Sequence, residues 1–275
     1  MSRKSLPAAL AVAALLAVVW GPDHAADAAR AGRSSHDHIS NRRTFRNPAG
    51  RAGTFSTQGS IDLTGEFFTA QGTNSRSCAS CHLPEDAWSI NPGTLQQLFD
   101  ETGGTHPVFN TLDADNPAID VSTVDARLAA YSMLLRRGVF RRGGAPRPNA
   151  EWELTAAEDP HGFANVTRLV HWRRVMPTIN FAVGSATMNW DGGNTVGSDQ
   201  RAGLVLQTTR NVAGAQQGQQ PPTADVVANI VDFAASLSTA QVLVSSVGRL
   251  DWHGARGGPR ALSTMPKVQG RPTSQ

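Results

Sequence analysis

Two stretches of the chain repeat apolar residues at three- and four-residue spacing, the period of an amphipathic helix. The first begins at Ser122-Thr123-Val124-Asp125, a start similar to a capping box, and ends at Gly138. Its apolar positions are Val124, Leu128, Tyr131 and Leu135. The second follows Pro221-Pro222 and carries Val226, Val227, Ile230, Phe233 and Leu237. We expect both helices to pack in the core.

Two shorter segments also read as helices. Residues 62–68 begin with the capping residue Asp62 and carry Leu63, Phe67 and Phe68, and residues 94–100 are followed by Gly103-Gly104. Much irregular sequence separates these elements, with 26 glycines and 16 prolines in 275 residues. We therefore predict a mainly α-helical protein whose long irregular loops wrap around a cofactor.

The amino terminus has the layout of a secretory signal peptide. Arg3 and Lys4 precede an apolar run from Leu6 to Trp20, and small residues follow near Ala28. We expect cleavage near Ala28 and export, to the periplasm in a bacterium; an uncleaved membrane anchor is the alternative, although the run is short for a membrane span. The net charge of +3 is mildly basic and gives no indication of nucleic-acid binding.

The segment Cys78-Ala79-Ser80-Cys81-His82 carries the clearest chemistry. It is a CxxCH motif, and its two cysteines are the only ones in the chain. Two thiols at this spacing reach both vinyl groups of one porphyrin as thioethers, and the following histidine is then held against the iron. The motif predicts one covalently attached haem c, with Cys78, Cys81 and His82 binding the cofactor and His82 ligating its iron.

Three other interpretations of the two cysteines remain open at this point. A structural disulfide would not need the histidine that follows. A zinc site of the Cys2His2 kind would need a second histidine at metal-binding spacing, which this neighbourhood lacks. A thioredoxin-type redox pair would be expected inside a βαβ pattern, and none is visible.

Several islands around the motif resemble the bacterial di-haem cytochrome c peroxidase family, specifically its amino-terminal haem domain. They are Gly72-Thr73-Asn74-Ser75-Arg76-Ser77 leading into CxxCH, Pro177-Thr178-Ile179-Asn180, Trp190-Asp191-Gly192 with Gln200 ten residues after the tryptophan, and Ile230-Val231-Asp232-Phe233 through Ala240-Gln241. The last island resembles the helix that leads into the family's second haem domain. Gly193 departs from the family, which usually has an arginine there, and no second CxxCH follows.

The resemblance implies an oxidoreductase that reduces hydrogen peroxide with electrons from a small donor protein, a cytochrome c or a cupredoxin. Family members divide peroxide binding and electron storage between two haems, and one haem cannot do both. Three hypotheses follow: a peroxide-reducing enzyme, a non-catalytic mono-haem electron carrier, and a truncated family member, either non-functional or completed by a partner that carries a second haem.

The ligand on the far side of the iron separates these hypotheses, because a fixed ligand would exclude peroxide. Met188, close to Trp190, is the first candidate, and the alternatives are Met176, His106, His161 and His171. We expect His36 and His38 to be exposed. Trp88 and Trp190 are predicted to bind the cofactor by packing against the porphyrin, with electron transfer as the alternative role.

Charge and composition divide the rest of the chain. Residues 29–60 are arginine-rich and predict a solvated polar arm, with docking of an acidic partner as the alternative. Residues 61–253 form the predicted haem domain, and residues 254–275 an irregular tail. Arg136, Arg137, Arg141 and Arg142 are assigned to a solvated turn, with contact to haem propionates as the alternative.

Overall fold

The computed structural model describes residues 37–114, 116, 118–144, 148–156, 169–181 and 187–265. The described residues belong to one compact unit. The predicted signal peptide, His36 and His161 lie outside the described residues. Within the described ranges, none of the helices has the length and apolar character needed to cross a membrane.

Six α-helices lie in the described part of the chain. They are α1 (Pro92–Thr102), α2 (Val124–Ala130), α3 (Ser132–Arg137), α4 (Gln200–Ala213), α5 (Ala224–Ser236) and α6 (Pro259–Ser263). Side chains cap four of them, since Asn91, Thr123, Asp199 and Thr223 each accept a backbone N–H from the first turn. Gly103 and Gly138 end α1 and α3 in the left-handed conformation.

The helix predictions are confirmed in two places and corrected in two others. Residues 94–100 lie in α1, and α5 covers the apolar repeat that begins at Val226. The segment 124–137 is helical but is interrupted at Tyr131, and Val124 and Leu128 are about half exposed rather than core residues. Residues 62–68 form turns instead of a helix, because the Asp62 carboxylate accepts both the backbone N–H and the hydroxyl of Thr64.

Eight strands form three antiparallel sheets in the described residues. The strands are β1 (His38–Ser40), β2 (Thr44–Asn47), β3 (Gly50–Ser56), β4 (Ser60–Asp62), β5 (Val139–Gly144), β6 (Leu169–Arg174), β7 (Leu237–Val244) and β8 (Gly248–Arg249). The central sheet has the order β2-β3-β7-β8, and the pairs β1-β4 and β5-β6 form the other two. The protein is mixed α/β, so the prediction of a mainly α-helical fold is wrong.

Several buried positions of the central sheet are polar, although Phe45, Leu237 and Val242 are buried and apolar. Where β3 pairs with β7, Thr54 and Thr239 are directly opposite and their hydroxyls lie 2.7 Å apart. Ser56 and Ser236 make a second hydroxyl pair at 3.2 Å. All four side chains are buried. Hydroxyl groups satisfied across the strands remove the apolar alternation by which a half-buried strand is normally recognised.

The two ends of the described chain are also more ordered than expected. Part of the predicted polar arm forms β2 and β3, and β3 pairs with β7 along its full length. That part is therefore not a solvated arm. In the predicted irregular tail, α6 packs on β7 and β3. Likewise, Arg141 and Arg142 lie in β5 rather than in a turn.

Two hydrophobic clusters flank the CxxCH segment. One contains Leu95 and Phe99 of α1, Leu134 and Leu135 of α3, and Phe140 of β5. The other contains Ile61, Phe67, Trp88, Ile230, Phe233 and Leu237, which join α5 to the central sheet. Cys81 packs against the first cluster and Cys78 against the second. The motif thus bridges the two parts of the core.

Candidate functional site

The CxxCH segment folds as a tight turn. Cys78–Ser80 is a single turn of 3₁₀ helix, and the backbone N–H groups of Cys81 and His82 both donate to the carbonyl of Cys78 at 3.2 Å. The Ser80 hydroxyl also accepts the N–H of Ser77 at 3.0 Å. The turn places Cys78, Cys81 and His82 together on the wall of one large cavity.

Both cysteines are free thiols, so the disulfide alternative receives no support. Burial raises the pKa of Cys78 to about 12 and the pKa of Cys81 to about 11. Both side chains are therefore neutral thiols at physiological pH. A redox pair needs a thiolate with a lowered pKa, so this environment argues against thioredoxin-type exchange.

His82 is held as a neutral imidazole with one defined edge. Burial lowers its pKa to about 4. Its Nδ1 atom lies 2.8 Å from the backbone carbonyl oxygen of Trp88 and 2.7 Å from Oγ1 of Thr178. A carbonyl at Nδ1 holds the proton on that nitrogen and leaves the lone pair on Nε2, the arrangement typical of a metal-ligating histidine.

Trp88 positions His82 through its backbone carbonyl. Ala87 and Trp88 both have left-handed backbone angles, with φ of 54° and 62°, and the Trp88 carbonyl accepts the Thr178 N–H in addition to facing Nδ1. The fully buried indole ring makes edge contacts with Phe67, Phe68 and Phe233, and its N–H donates to Oγ1 of Thr54 at 2.9 Å. Trp88 is not among the cavity-lining residues, so it packs behind His82 and not on the cavity wall.

The cavity has a volume of about 1140 Å³. Small-molecule and cofactor sites usually have volumes of about 300–1,000 Å³, so the space suffices for a large cofactor. Apolar side chains of α4, α5 and the segment before the motif line one part of it: Phe67, Leu204, Ile230, Val231 and Ala234. The described lining also contains six arginines, Arg76, Arg141, Arg142, Arg173, Arg174 and Arg210, but a single carboxylate, Asp191.

Two of these arginines, Arg76 and Arg142, pair with a buried carboxylate beside Cys81. Asp113 is fully buried, and its carboxylate lies 2.7 Å from Arg76 and 2.8 Å from Arg142. Arg76 is 3% exposed and also donates to the carbonyls of Pro107 and Val108. Arg142 is 44% exposed and faces the cavity. The cluster fixes Arg76 and presents Arg142 to whatever occupies the cavity.

The β5-β6 hairpin supplies another wall. Arg142 pairs with His171 across the two strands, and Arg141 pairs with Trp172. His171 is partly buried, and burial together with the neighbouring Arg173 lowers its pKa. Among the described residues, His82 and His171 are the two histidines that line the cavity.

The predicted distal ligands separate clearly by position. Met188, the first candidate, is buried against Leu204, Val227 and Val231 and does not line the cavity, so it belongs to the core and is not placed to bind a cofactor there. Met176 and His171 do line the cavity, whereas His106 does not. The structure brings Cys78, Cys81, His82 and Trp190 to the cavity and leaves Trp88 and Met188 outside it.

Trp190 lies at the cavity with its indole N–H donating to the carbonyl of Arg174 at 2.9 Å. Although this bond fixes the ring, 62% of the residue is exposed to solvent. Nearby, Asp191 and Arg173 form an ion pair at 3.4 Å. The exposed aromatic ring faces the cavity, but the predicted packing of Trp190 against a porphyrin stays a prediction.

Sequence reasoning missed two residues of the site. Thr178 lies in the island Pro177-Thr178-Ile179-Asn180, but nothing in the sequence shows that its hydroxyl reaches His82. Gln216 is fully buried and its Nε2 lies 3.9 Å from Sγ of Cys78. The Gln216 backbone also passes so close to Gly72 that a Cβ on Gly72 would lie 1.8 Å from the Gln216 carbonyl oxygen. Gly72 thus allows this segment to approach the motif.

Comparisons with known proteins give no information about the site. No protein-family model, curated protein or solved structure matches the chain. The resemblance to di-haem cytochrome c peroxidases therefore stays a prediction. Within the described ranges, no group of three or more His, Cys, Asp and Glu side chains is arranged around a shared metal position.

Proposed function

We propose that the chain attaches one haem c covalently, through thioethers at Cys78 and Cys81 and an iron bond from Nε2 of His82. The observation that carries this proposal is the meeting of all three side chains on one cavity wall, with Nδ1 of the histidine facing a carbonyl. Covalent haem needs free thiols, and both cysteines are free. It also needs a neutral imidazole, and burial keeps His82 neutral above a pKa of about 4.

The rest of the cavity fits the same cofactor. A haem combines an apolar macrocycle with two carboxylates at one edge, and the cavity combines apolar side chains of α4 and α5 with arginines of the β5-β6 hairpin. Arg141 and Arg142 are the residues we assign to the propionates, since both line the cavity and guanidinium groups bind carboxylates well. Trp190 would cover part of the macrocycle.

We propose an oxidoreductase activity, and the preferred reaction is the reduction of hydrogen peroxide. When bound, the haem supplies an iron that exchanges single electrons and binds peroxide where its sixth position is open. Reduction of peroxide to two waters consumes two electrons and two protons. His171 is neutral because its pKa is lowered, so its ring can accept a peroxide proton at one nitrogen and return it to the departing oxygen. Arg142, its cross-strand partner, would stabilise negative charge there.

The electrons would come from outside the chain. We propose a small electron-donor protein, a cytochrome c or a cupredoxin, and an exported location, as expected for covalent haem. This part depends on the family resemblance and on the predicted signal peptide, both of which stay predictions.

The test is peroxide consumption by the purified holoprotein. The protein is supplied with a reduced small cytochrome c, and oxidation of that donor is followed with and without hydrogen peroxide. We expect peroxide-dependent oxidation that falls at least tenfold in the His171→Leu variant, because acid–base catalysis contributes about 10²–10⁴-fold. Haem-loaded protein that oxidises no donor upon peroxide addition would contradict the peroxidase proposal.

A second candidate, a non-catalytic electron carrier, has one observation in its favour. His171 and Met176 both line the cavity, and either side-chain type can occupy the sixth position of a haem iron. A fixed ligand there would give a low-spin spectrum that hydrogen peroxide does not change. His171→Leu or Met176→Leu would then open the iron, and the variant that produces a high-spin spectrum would identify the ligand.

A further inference from the structure

The imidazole of His82 has two polar neighbours at Nδ1, and neither can be predicted from the sequence. The carbonyl oxygen of Trp88 lies at 2.8 Å and Oγ1 of Thr178 at 2.7 Å. Oγ1 is also 3.3 Å from Nε2, so it lies closer to the Nδ1 side of the ring. When Nε2 binds a metal, the ring proton is on Nδ1, and both oxygens can then act as acceptors for it.

Thr178 reaches this position because its segment is fastened to the central sheet. Two residues later, Asn180 donates its backbone N–H to Leu237 at 3.0 Å and its side-chain amide to the carbonyl of Thr239 at 3.1 Å. Its side-chain oxygen accepts the N–H of Thr239 at 2.7 Å. Asn180 is left-handed, with φ of 61°, a conformation that asparagine adopts more readily than most residues. The backbone N–H of Thr178 also donates to the Trp88 carbonyl at 3.1 Å.

The Trp88 carbonyl, the second acceptor at Nδ1, is connected to the same strand, β7. The Trp88 indole donates to Thr54 of β3, and the Thr54 hydroxyl pairs with the hydroxyl of Thr239 on β7. Thr239 therefore joins both supports, through its backbone on the Thr178 side and through its hydroxyl on the Trp88 side. The buried Thr54–Thr239 pair thus connects the two segments that place an acceptor at Nδ1 of His82.

We propose that Thr178 is a positioning residue for His82, whose hydroxyl shares the Nδ1 proton with the Trp88 carbonyl and thereby sets the donor strength of Nε2. The inference rests on the proposed function, because it concerns His82 as the ligand of a haem iron. An acceptor at Nδ1 makes an imidazole more basic, and a more basic ligand favours the oxidised over the reduced iron. Loss of the hydroxyl raises the reduction potential, and the Trp88 carbonyl preserves part of the effect.

The experiment compares Thr178→Val with Thr178→Ser in the holoprotein. Valine has nearly the shape of threonine but no hydroxyl, whereas serine retains the hydroxyl. Thr209→Val, which removes a helix hydroxyl that bonds only the carbonyl of Val205, is the matched control. Covalent haem per chain is measured first, and the reduction potential and the iron–histidine stretching frequency are then measured on the same samples.

We expect Thr178→Val to retain covalent haem, to shift the iron equilibrium about tenfold toward the reduced form, about 59 mV for one electron, and to lower the stretching frequency. Thr178→Ser and Thr209→Val should both have the reduction potential and the stretching frequency of the unmodified protein. A Thr178→Val holoprotein with unchanged potential and stretching frequency would overturn the proposal. If that variant does not accumulate, Thr178→Ala is measured against the same criteria. Absence of covalent haem from the unmodified protein would instead overturn the proposed function.

Discussion

The buried carboxylate of Asp113 makes the most quantitative prediction from this structure. Asp113 has no exposed surface and faces Arg76, which is 3% exposed, at 2.7 Å. The substitution Asp113→Asn retains the size and some hydrogen-bonding capacity of the side chain but removes its charge. The guanidinium of Arg76 is then left buried beside Cys81 without a counter-charge.

The expected loss is about 3–5 kcal/mol of unfolding free energy, the usual cost of removing one member of a buried ion pair. Arg142 adds little to this figure because its side chain is 44% exposed and solvent stabilises its charge. For a domain of this size, each kcal/mol corresponds to roughly 2–4 °C, so the midpoint of thermal unfolding should fall by about 6–20 °C.

The assay is equilibrium denaturation in urea of the unmodified protein, Asp113→Asn and the double variant Arg76→Met/Asp113→Leu. The double variant removes both charges and should regain most of the stability, since apolar replacement of a buried pair is often neutral or stabilising. If Asp113→Asn loses less than about 1 kcal/mol, the Arg76–Asp113 pair is not a buried ion pair, because Arg76 must then be solvated.

Three further predictions concern the surroundings of the site. Trp88→Phe loses the bond to Thr54 and leaves a cavity where the larger ring is fully buried, so it should cost about 2–3 kcal/mol in urea denaturation; no change would contradict both the burial and the bond. Gly72→Ala should lower the yield of folded protein, measured by circular dichroism, because its Cβ would collide with Gln216; normal folding would contradict the close approach. Burial lowers the pKa of His106, whose Nδ1 accepts a backbone N–H, so stability should fall as pH decreases through the usual histidine range. His106→Gln should reduce the slope of that profile, and the remaining slope belongs to His82 and His171, whose pKa values are also lowered; an unchanged slope would contradict a contribution from His106.

The sign of the His106 effect follows from linkage. A folded-state pKa below the unfolded value means that the unfolded chain binds more protons between the two values. Stability is thus complete above the unfolded pKa and is lost as the pH falls toward the folded one.

The sequence was informative where the chemistry is local. Five consecutive residues of the motif predict the two thiols and the histidine that the structure places on one cavity wall. The sequence also predicts the positions of α1 and α5, though not their exact ends, because Gly103 and the apolar repeat from Val226 act within a few turns of the chain.

The sequence was uninformative where the structure depends on distant pairing. Nothing near Thr54 or Thr239 indicates that their hydroxyls meet across two strands separated by 185 positions. The same is true of Thr178, whose contact with His82 joins residues that are 96 positions apart. Hydroxyl residues lack the apolar periodicity that marks a buried strand, so the sequence predicts a polar arm and a helix where the structure has β3 and β7.

The decisive measurement is the covalent haem content of the purified protein. The protein is produced in cells that mature c-type cytochromes, and its intact mass and haem absorbance are measured after denaturation, beside a Cys78→Ser/Cys81→Ser variant. We expect a mass increase of one haem per chain, absent from the double variant. An unmodified mass with no haem absorbance, from cells that load a known c-type cytochrome in parallel, would contradict it.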